Sequence, residues 1–361
     1  MKKILIVRLS SLGDIVHAIP VAAALREGFP EAGIDWMVES RHADLLRCVT
    51  ALDNVIAIDS RTTPGLLRLP GQLARLRHAR YDCVIDVQGL WKSSILSRMT
   101  GARRVLGFAG SLVREKGAHY LYTEQYDGTP DTQSIYAKNL ALLRLLGVST
   151  AAVRFPLAHS PGPPIHELLR SAGVGDKSGF ALLVPGASKS NKRWPAEKFG
   201  RLAQILLEHH ALRSAVLQGN AEEHALAIDV ERAARGSAVV LPPVDLGELL
   251  AMAGSASVVV AGDTGPLHVA TAAQAPVVGI YGPTDPARNG PAGRDDLCVS
   301  RHDSCRCKLA RKCTAGTPCM TTIPVSEVAD AVARRLSSAG FPGLSSDAGL
   351  QGQALPSRAG R

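Results

Sequence analysis

Short apolar segments alternate with helix-like segments along most of this 361-residue chain. In the first half, the apolar segments predict five strands, at 2–8, 33–39, 54–58, 83–86 and 103–107. Apolar residues at helical spacing predict helices at 15–28, 66–78, 90–99 and 132–146. Strands and helices that alternate in this way are typical of a parallel sheet whose strands are joined by crossover helices.

A second alternation of the same kind follows a segment rich in Pro and Gly. Its predicted strands are 180–184, 214–218, 238–241, 257–262 and 275–282, and its predicted helices are 195–209, 222–234 and 245–252. Because the chain is too long for one ordinary core, we expect two α/β domains, at 1–155 and 179–339, joined by a linker at 156–178. Two such domains form a cleft, the usual place for a ligand. The polar, low-complexity segment 340–361 predicts a disordered tail.

The composition, 46% hydrophobic and 20% charged, is that of a globular protein. No apolar run approaches the roughly 20 residues that span a bilayer. The apolar stretch at the N-terminus is also too short for a signal peptide. We therefore expect a cytoplasmic protein.

Positive charge is concentrated in one part of the chain. The net charge is +9, and residues 56–120 alone hold eleven Lys and Arg against four Asp and Glu. This surplus indicates either an anionic partner, such as a membrane surface or a phosphorylated substrate, or a solvated charged face. Aromatic residues make up only 4% of the chain and nucleic-acid-binding motifs are absent, which argues against nucleic acid as the partner.

The sequence SSLGDIVHAIP, residues 10–20, places a carboxylate where the first predicted strand turns into a helix. Pro20 is tolerated only near the start of that helix, because the first helical N–H groups have no intrahelical partner. Asp14 therefore lies at or beside a helix N-terminus. It is either an N-cap, a common role of Asp, or a residue that faces a ligand, since ligands bind at strand-to-helix turns of open α/β sheets.

Two loops of the second half carry polar residues directly after predicted strands. The loop PGASKSNKRWP at 185–195 combines small residues with Lys192, and backbone N–H groups beside a lysine suit a phosphate. The loop GNAEE at 219–223 carries Glu222 and Glu223, which either bind ribose hydroxyls or lie in solvent.

A third loop, DTGPLHVATAA at 263–273, opens a predicted helix. Asp263 and Thr264 cap its entry, and Gly265 permits close backbone approach. The helix N-terminus presents free N–H groups and the positive end of the helix dipole, which together form an anion site. His268 either contacts that anion or packs in the core.

Two nucleotide-binding motifs are absent. No G-x-G-x-x-G follows the first strand, which argues against a nicotinamide-dependent oxidoreductase. No G-x-x-x-x-G-K-[ST] occurs, which argues against a phosphate-loop NTPase.

Several motifs together resemble those of the bacterial lipopolysaccharide heptosyltransferases of glycosyltransferase family nine, and most closely the heptosyltransferase I type. They are SSLGDIVHAIP, DWMVES, YDCVIDVQGLWKSS, KRWP and DTGPLHVATA…VVGIYGPTDP. The resemblance implies a GT-B fold, with an N-terminal acceptor-binding domain and a C-terminal domain that binds the nucleotide-sugar. It implies ADP-L-glycero-β-D-manno-heptose as donor, a Kdo sugar on lipid A as acceptor, and an inverting transfer that needs no metal or other cofactor.

The resemblance also assigns roles to single residues. Asp14 matches the proposed general base, Lys192 the lysine that meets the donor diphosphate, and Ser188 a hydroxyl residue that assists it. Asp263, Thr264, Gly265 and His268 match the loop of the donor site. Glu223 matches the acid that holds the ribose, or Glu222 does, because the alignment of this loop is uncertain by one residue.

The acceptor side offers no residue-by-residue match. From the basic stretch we expect the phosphate and carboxylate groups of an anionic glycolipid to be bound by Arg61, Arg104, Arg114 and Lys116. A glycolipid acceptor implies peripheral contact with the inner face of the inner membrane.

Four of the seven cysteines lie in CRCKLARKCTAGTPC, residues 305–319, named here the cysteine loop. A cytoplasmic location argues against disulfides. Cys305, Cys307, Cys313 and Cys319 form either a structural metal site such as tetrahedral zinc or a group of free thiols.

Two further functions stay open at this point. One is a family-nine transferase with another nucleotide-sugar or acceptor, and the other is a non-catalytic nucleotide-binding protein. The presence of Asp14 together with Lys192 favours the enzyme.

Overall fold

The structure is a computed structural model that describes residues 1–129, 133–158, 163–175, 179–308, 313 and 316–340. The expected tail at 340–361 therefore lies, except for Gly340, outside the described residues. Among the described residues, no helix combines the length and the apolar character needed to cross a membrane.

The N-terminal half forms a six-stranded parallel sheet in the order β3-β2-β1-β4-β5-β6. Its strands are β1 Lys3–Val7, β2 Gly33–Glu39, β3 Asn54–Ile58, β4 Cys83–Asp86, β5 Arg104–Phe108 and β6 Glu124–Tyr126. Its helices are α1 Leu12–Val16, α2 Ile19–Gly28, α3 Ala43–Arg47, α4 Thr63–His78, α5 Trp91–Met99 and α6 Ile135–Ala141. Short 3₁₀ turns occur at Ser40–His42, Ala118–Leu121 and Leu142–Leu146.

The C-terminal half repeats this architecture with the order β9-β8-β7-β10-β11-β12, again all parallel. Its strands are β7 Phe180–Val184, β8 Arg213–Val216, β9 Ala238–Val240, β10 Val258–Gly262, β11 Val277–Tyr281 and β12 Leu297–Ser300. Its helices are α7 Pro163–Ser171, α8 Ala196–His210, α9 Ala221–Ala234, α10 Leu246–Ser255, α11 Gly265–Ala272, α12 Pro286–Asn289, α13 Cys319–Thr322 and α14 Val325–Ser338. A 3₁₀ turn lies at Ser190–Lys192.

Each sheet is covered by helices on both faces, which explains why its central strands are apolar throughout. In β1, Ile4 and Ile6 belong to the core under α2 and α6, whereas Leu5 and Val7 belong to the core under α4 and α5. All four side chains are fully buried. Strands buried on both faces need continuous apolar runs, which is the pattern that the sequence shows.

The strand order places a topological switch point in each sheet, between β1 and β4 and between β7 and β10. At a switch point, the connections that follow two neighbouring strands run to opposite sides of the sheet. This leaves a crevice at the carboxyl ends of the strands, where open α/β sheets bind ligands. The loops that follow β1, β4, β7 and β10 therefore form the first region to search for a site.

The predicted helix at 15–28 is two helices, α1 and α2. Pro20 lies at the start of α2, where its missing N–H costs nothing.

The expected linker is more structured than a Pro-rich sequence indicates, because α7 lies within it. Ile165 and Leu169 of α7 are buried in the C-terminal core.

The two domains meet through α1 and α11. The Cβ that an alanine at Gly13 would carry lies 2.7 Å from Cδ2 of His268, and one at Gly265 would lie 2.7 Å from Cδ2 of Leu12. Both distances are too short for a real contact, so the two glycines allow the helix N-termini of the two domains to touch. Val16 extends this contact, since it is buried in the C-terminal core.

Candidate active site

Asp14 lies in the first turn of α1, the helix that follows β1. It is not the N-cap: Ser11 occupies that position, and Asp14 is the third helical residue. Its Oδ2 accepts hydrogen bonds from the backbone N–H and the hydroxyl of Ser11, at 3.2 and 2.8 Å. One carboxylate oxygen therefore stabilises the helix start, as in a capping box.

The other oxygen of Asp14 faces Arg8, whose Nη2 lies 2.9 Å from Oδ1. Burial opposes the ionisation of Asp14, but the Arg8 charge and the Ser11 hydrogen bonds outweigh it and hold the pKa of Asp14 below its usual value. Asp14 is therefore a carboxylate across the neutral pH range.

Arg8 is itself held in place by the loop after β4. Its Nη1 donates to the carbonyl oxygen of Val87 at 2.9 Å. That loop is fixed by Asp86, a fully buried carboxyl that accepts from the hydroxyls of Ser93 and Tyr122 at 2.8 Å each, and from the backbone N–H of Gln88 at 2.8 Å. Burial raises the pKa of Asp86.

On the C-terminal domain, Asp263 connects the loop after β7 with the helix α11. Its Oδ2 forms an ion pair with Nζ of Lys192, and its Oδ1 lies 3.2 Å from Nε2 of His268. Burial opposes ionisation of Asp263, but the hydrogen bond from His268 and the charge of Lys192 hold its pKa well below the usual value. Asp263 therefore positions a lysine beside the N-terminus of α11, where Thr264 is the N-cap and has a buried hydroxyl without a hydrogen-bond partner.

A pair of histidines joins the two domains. Nε2 of His17, the residue after α1, lies 3.1 Å from Nδ1 of His268. If Nε2–H of His268 donates to Asp263, its Nδ1 is an acceptor, and the hydrogen bond requires His17 to donate its own Nε2–H. Burial and the neighbouring His268 lower the pKa of His17 well below its usual value, so His17 is neutral. The helix that carries Asp14 is thus tied by hydrogen bonds to the Asp263–Lys192 pair.

The structure separates the two glutamates that the sequence could not tell apart. Glu222 forms an ion pair with Arg193 at the surface. Glu223 lies against the strand-end turns at Gly186 and Gly219, where an added Cβ would come within 2.8 and 2.2 Å of its side chain. Glu223 is therefore the acid that faces the loops after β7 and β8.

A cleft of about 710 Å³ lies between the domains and contains Asp14 and Arg8. Most of its other charged lining is cationic: Arg114, Lys138, Lys189, Arg288 and Lys308, with Asp285 as the further acid. Burial, together with the positive Arg288 and Arg8, lowers the pKa of Lys138. The cleft is therefore suited to a polyanionic ligand.

The expected acceptor residues are not brought together. Arg114 lines the cleft, and Lys116 lies two residues further along the same segment, exposed. Arg61 is exposed in the loop after β3. Arg104 is at the amino end of β5, the edge of the sheet opposite to the cleft, where its guanidinium binds the Glu124 carboxylate at 2.6 and 2.8 Å.

Residues 72–318 match the model of the family described as glycosyltransferase family 9 (heptosyltransferase). This range is more than half of the chain. The protein belongs to glycosyltransferase family 9.

Relatives and solved structures agree with this family. The lipopolysaccharide heptosyltransferase 1 of Pseudomonas aeruginosa is 28% identical over 326 residues, which cover 86% of this chain and 87% of that protein. The E. coli heptosyltransferase WaaC, solved with ADP, superposes with a TM-score of 0.74 at 23% identity, covering 92% of this chain and 99% of that one. The WaaC structure with ADP-2-deoxy-2-fluoro heptose gives a TM-score of 0.70 at 24% identity, covering 93% and 99%. The predicted GT-B fold is confirmed.

The sequence of this glycosyltransferase did not reveal two parts of its site. One is Arg8, which follows directly after β1. A charged residue at the end of a buried strand was the signal that could have identified it. The hydrogen bond between His17 and His268 spans 251 residues, so no local spacing could predict it.

The cysteine loop of the glycosyltransferase brings its four thiols to one small pocket. Sγ of Cys307 and Sγ of Cys313 lie 2.9 Å apart, and Sγ of Cys305 and Sγ of Cys319 lie 3.3 Å apart. Among the residues that the structure describes, no three His, Cys, Asp or Glu side chains are arranged to hold a metal ion. Part of the loop lies outside those residues, and the metal site stays a prediction.

Proposed function

We propose that the protein transfers L-glycero-D-manno-heptose from its ADP derivative to a Kdo sugar of the lipopolysaccharide inner core, with inversion at the anomeric carbon. The observation that carries the proposal is the cationic cleft lined by the Asp14 carboxylate, whose helix α1 is tied through His17 and His268 to the Lys192–Asp263 pair of the other domain. The names of the relatives support heptose as the sugar, and the WaaC structures with ADP ligands support ADP as its carrier.

The donor side accounts for the leaving group. Negative charge grows on the diphosphate as the bond to the sugar breaks. Lys192 and the free N–H groups at the start of α11 supply fixed positive charge for it, and Ser188, exposed in the same loop as Lys192, adds a hydroxyl. Each such donor contributes about 3 kcal/mol to transition-state stabilisation. In this proposal the chain provides these charges without a metal.

The ribose of the donor has a partner in Glu223. Its carboxylate lies at the carboxyl ends of β7 and β8, one loop away from Lys192. Acidic residues in this position of nucleotide-binding α/β folds accept hydrogen bonds from ribose hydroxyls. The glycines at 186 and 219 leave room for that side chain.

Asp14 is the proposed general base. It is ionised at neutral pH, and it lines the cleft from the acceptor domain. The acceptor hydroxyl attacks the anomeric carbon from the side opposite to ADP, while its proton passes to an Asp14 oxygen. Since Arg8 keeps the pKa of Asp14 low, proton transfer accompanies departure of ADP and does not precede it.

The acceptor is proposed to be an anionic glycolipid, Kdo-lipid A. Its carboxylate and phosphate groups match the cations that line the cleft, Arg114 among them. The protein would work at the inner face of the inner membrane as a peripheral enzyme, because that glycolipid is anchored in a bilayer.

A donor screen tests the proposal. The protein is incubated with Kdo-lipid A and either ADP-heptose or a UDP- or GDP-sugar, and the product is identified by mass spectrometry. We expect one added heptose with ADP-heptose alone. Transfer from a UDP- or GDP-sugar would favour a family-nine enzyme of another specificity, and ADP binding without transfer to any acceptor would favour a non-catalytic protein.

A further inference from the structure

Exposed apolar side chains are concentrated on one face of the N-terminal domain. Among the described residues, eight large apolar side chains are exposed, and five of them lie on α4 and α5. On α5, Trp91, Ile95 and Met99 are spaced four residues apart and so share one face of the helix. On α4, Leu66 is 51% and Leu67 78% exposed.

Three of these residues, Leu66, Ile95 and Met99, line an apolar groove of about 640 Å³ between the two helices. Its apolar lining comes from both walls: Leu66, Leu69, Pro70 and Leu73 of α4, and Ile95, Leu96 and Met99 of α5. Contiguous exposed apolar surface of this kind marks an interaction site.

The charge around the groove identifies the partner. The two helices carry Arg68, Arg75, Arg77, Lys92 and Arg98, all exposed, and no Asp or Glu. Lys92 is ion-paired with Glu39 of β2, so the four arginines supply the charge for a partner. A protein partner would need a wholly acidic rim to match them. A bilayer that contains anionic lipids offers both parts at once, phosphate groups for the rim and acyl chains for the apolar side chains.

The apolar face also lies beside the proposed active site. Trp91 begins α5 two residues after Gly89, which lines the cleft. The backbone N–H of Trp91 donates to Glu115 at 2.8 Å, and Glu115 is adjacent to Arg114 of the cleft. A sugar headgroup that projects from a bilayer held on this face would therefore reach the cleft.

We propose that the α4–α5 face docks on an anionic lipid bilayer, with Leu66, Leu67, Ile95 and Met99 inserted among the acyl chains. This proposal names the surface for the membrane contact of the proposed function. Binding of the bilayer, however, requires neither donor nor heptosyl transfer, so the two can fail separately.

Co-sedimentation of the full chain with vesicles tests the proposal. We expect the protein to bind vesicles of equimolar phosphatidylglycerol and phosphatidylcholine, and to bind pure phosphatidylcholine much more weakly. The double variant Leu67→Asp, Ile95→Asp should lose affinity for the anionic vesicles by about tenfold or more. The matched control is Leu207→Asp, a 41% exposed leucine on α8 of the other domain, which should stay within about twofold of wild type.

Two further variants separate charge from apolar insertion. Arg75→Gln and Arg98→Gln should each weaken binding to anionic vesicles by about fivefold and leave thermal stability unchanged. If the double Asp variant melts at lower temperature than wild type, Leu67→Ser alone replaces it, since that side chain is largely outside the core.

A transfer assay provides the second readout. The Leu67 and Ile95 variants should transfer heptose normally to a water-soluble acceptor without acyl chains, and poorly to an acceptor embedded in vesicles. Three results would overturn the docking proposal. The protein could bind both kinds of vesicle equally, or the Leu207 control could lose as much affinity as the double variant. The third is that the groove substitutions change self-association, measured by sedimentation velocity, and leave vesicle binding unchanged. Absence of transfer by every protein would count against the proposed function and leave the vesicle result standing.

Discussion

The substitution Arg8→Gln tests how the site controls its base. Arg8 Nη2 lies 2.9 Å from Asp14 Oδ1 and is the charge that lowers the pKa of Asp14. An arginine at this distance lowers the pKa of a carboxyl group by about one to three units. Glutamine retains a hydrogen-bond donor and removes the charge, so the pKa of Asp14 should rise by about that amount.

The pH profile of kcat/KM makes this shift measurable. In wild type the folded pKa of Asp14 is depressed, so Asp14 stays ionised, and activity is retained, as the pH falls into the usual range of an aspartate. In Arg8→Gln, protonation of Asp14 should begin about one to three pH units higher and produce an acid limb that wild type lacks. At pH 8 both proteins have an ionised Asp14.

Initial rates of ADP release between about pH 3.5 and pH 8 are the assay, with circular dichroism at each pH to confirm that both proteins are folded. Arg8→Lys is the matched control, because it keeps the charge and should keep the wild-type profile. An Arg8→Gln profile that coincides with that of wild type would refute the argument that Arg8 sets the pKa of the base.

Three further outcomes follow from the site. Glu223→Gln should raise the KM for the donor by about tenfold, whereas Glu222→Gln, which loses only a surface ion pair, should change that KM by less than about twofold. Equal effects of the two substitutions in the same donor titration would contradict the assignment of Glu223 to the ribose. Increasing ionic strength should raise the acceptor KM more than the donor KM, because exposed cations on the acceptor side are screened by salt; an equal response of the two substrates would count against them. For the cysteine loop, elemental analysis of protein purified without chelator should find about one zinc per chain if the four thiols form a closed site, and a metal content near zero in a normally folded protein would exclude that site.

The architecture was predictable from the sequence because strands buried on both faces leave an unmistakable apolar signal. Ile4–Val7 and Phe180–Val184 are such runs, and both are central strands. The strand β6 was missed because its three residues, Glu124–Tyr126, are polar or aromatic at the edge of the sheet. Likewise, a segment read as linker contains α7, since the two prolines that begin this short amphipathic helix masked it.

The positions of the candidate site residues were predictable where they depend on local order along the chain. Asp14 follows a strand of the N-terminal sheet, and Lys192 and Asp263 follow strands of the C-terminal sheet. In each sheet the carboxyl ends of the parallel strands lie at one edge. Local order does not show at which edge of the sheet a side chain lies, or which distant residue it contacts. Arg104 was chosen for its charge, but it begins a strand and so lies at the opposite edge. His17 forms a hydrogen bond with His268 of the other domain, which only the three-dimensional structure reveals.

Turnover of Asp14→Asn tests the central claim most directly. Asn keeps an oxygen that can accept from the backbone N–H of Ser11, so the start of α1 should survive, and loss of the Arg8 ion pair should lower Tm by only a few degrees. ADP binding should stay near that of wild type, because Lys192 and α11 belong to the other domain. Asn cannot take up the acceptor proton, so kcat should fall by about 10²–10⁴-fold. A folded Asp14→Asn protein that binds ADP and turns over within about threefold of wild type would contradict the account, and Asp14 would then be a helix-stabilising residue only.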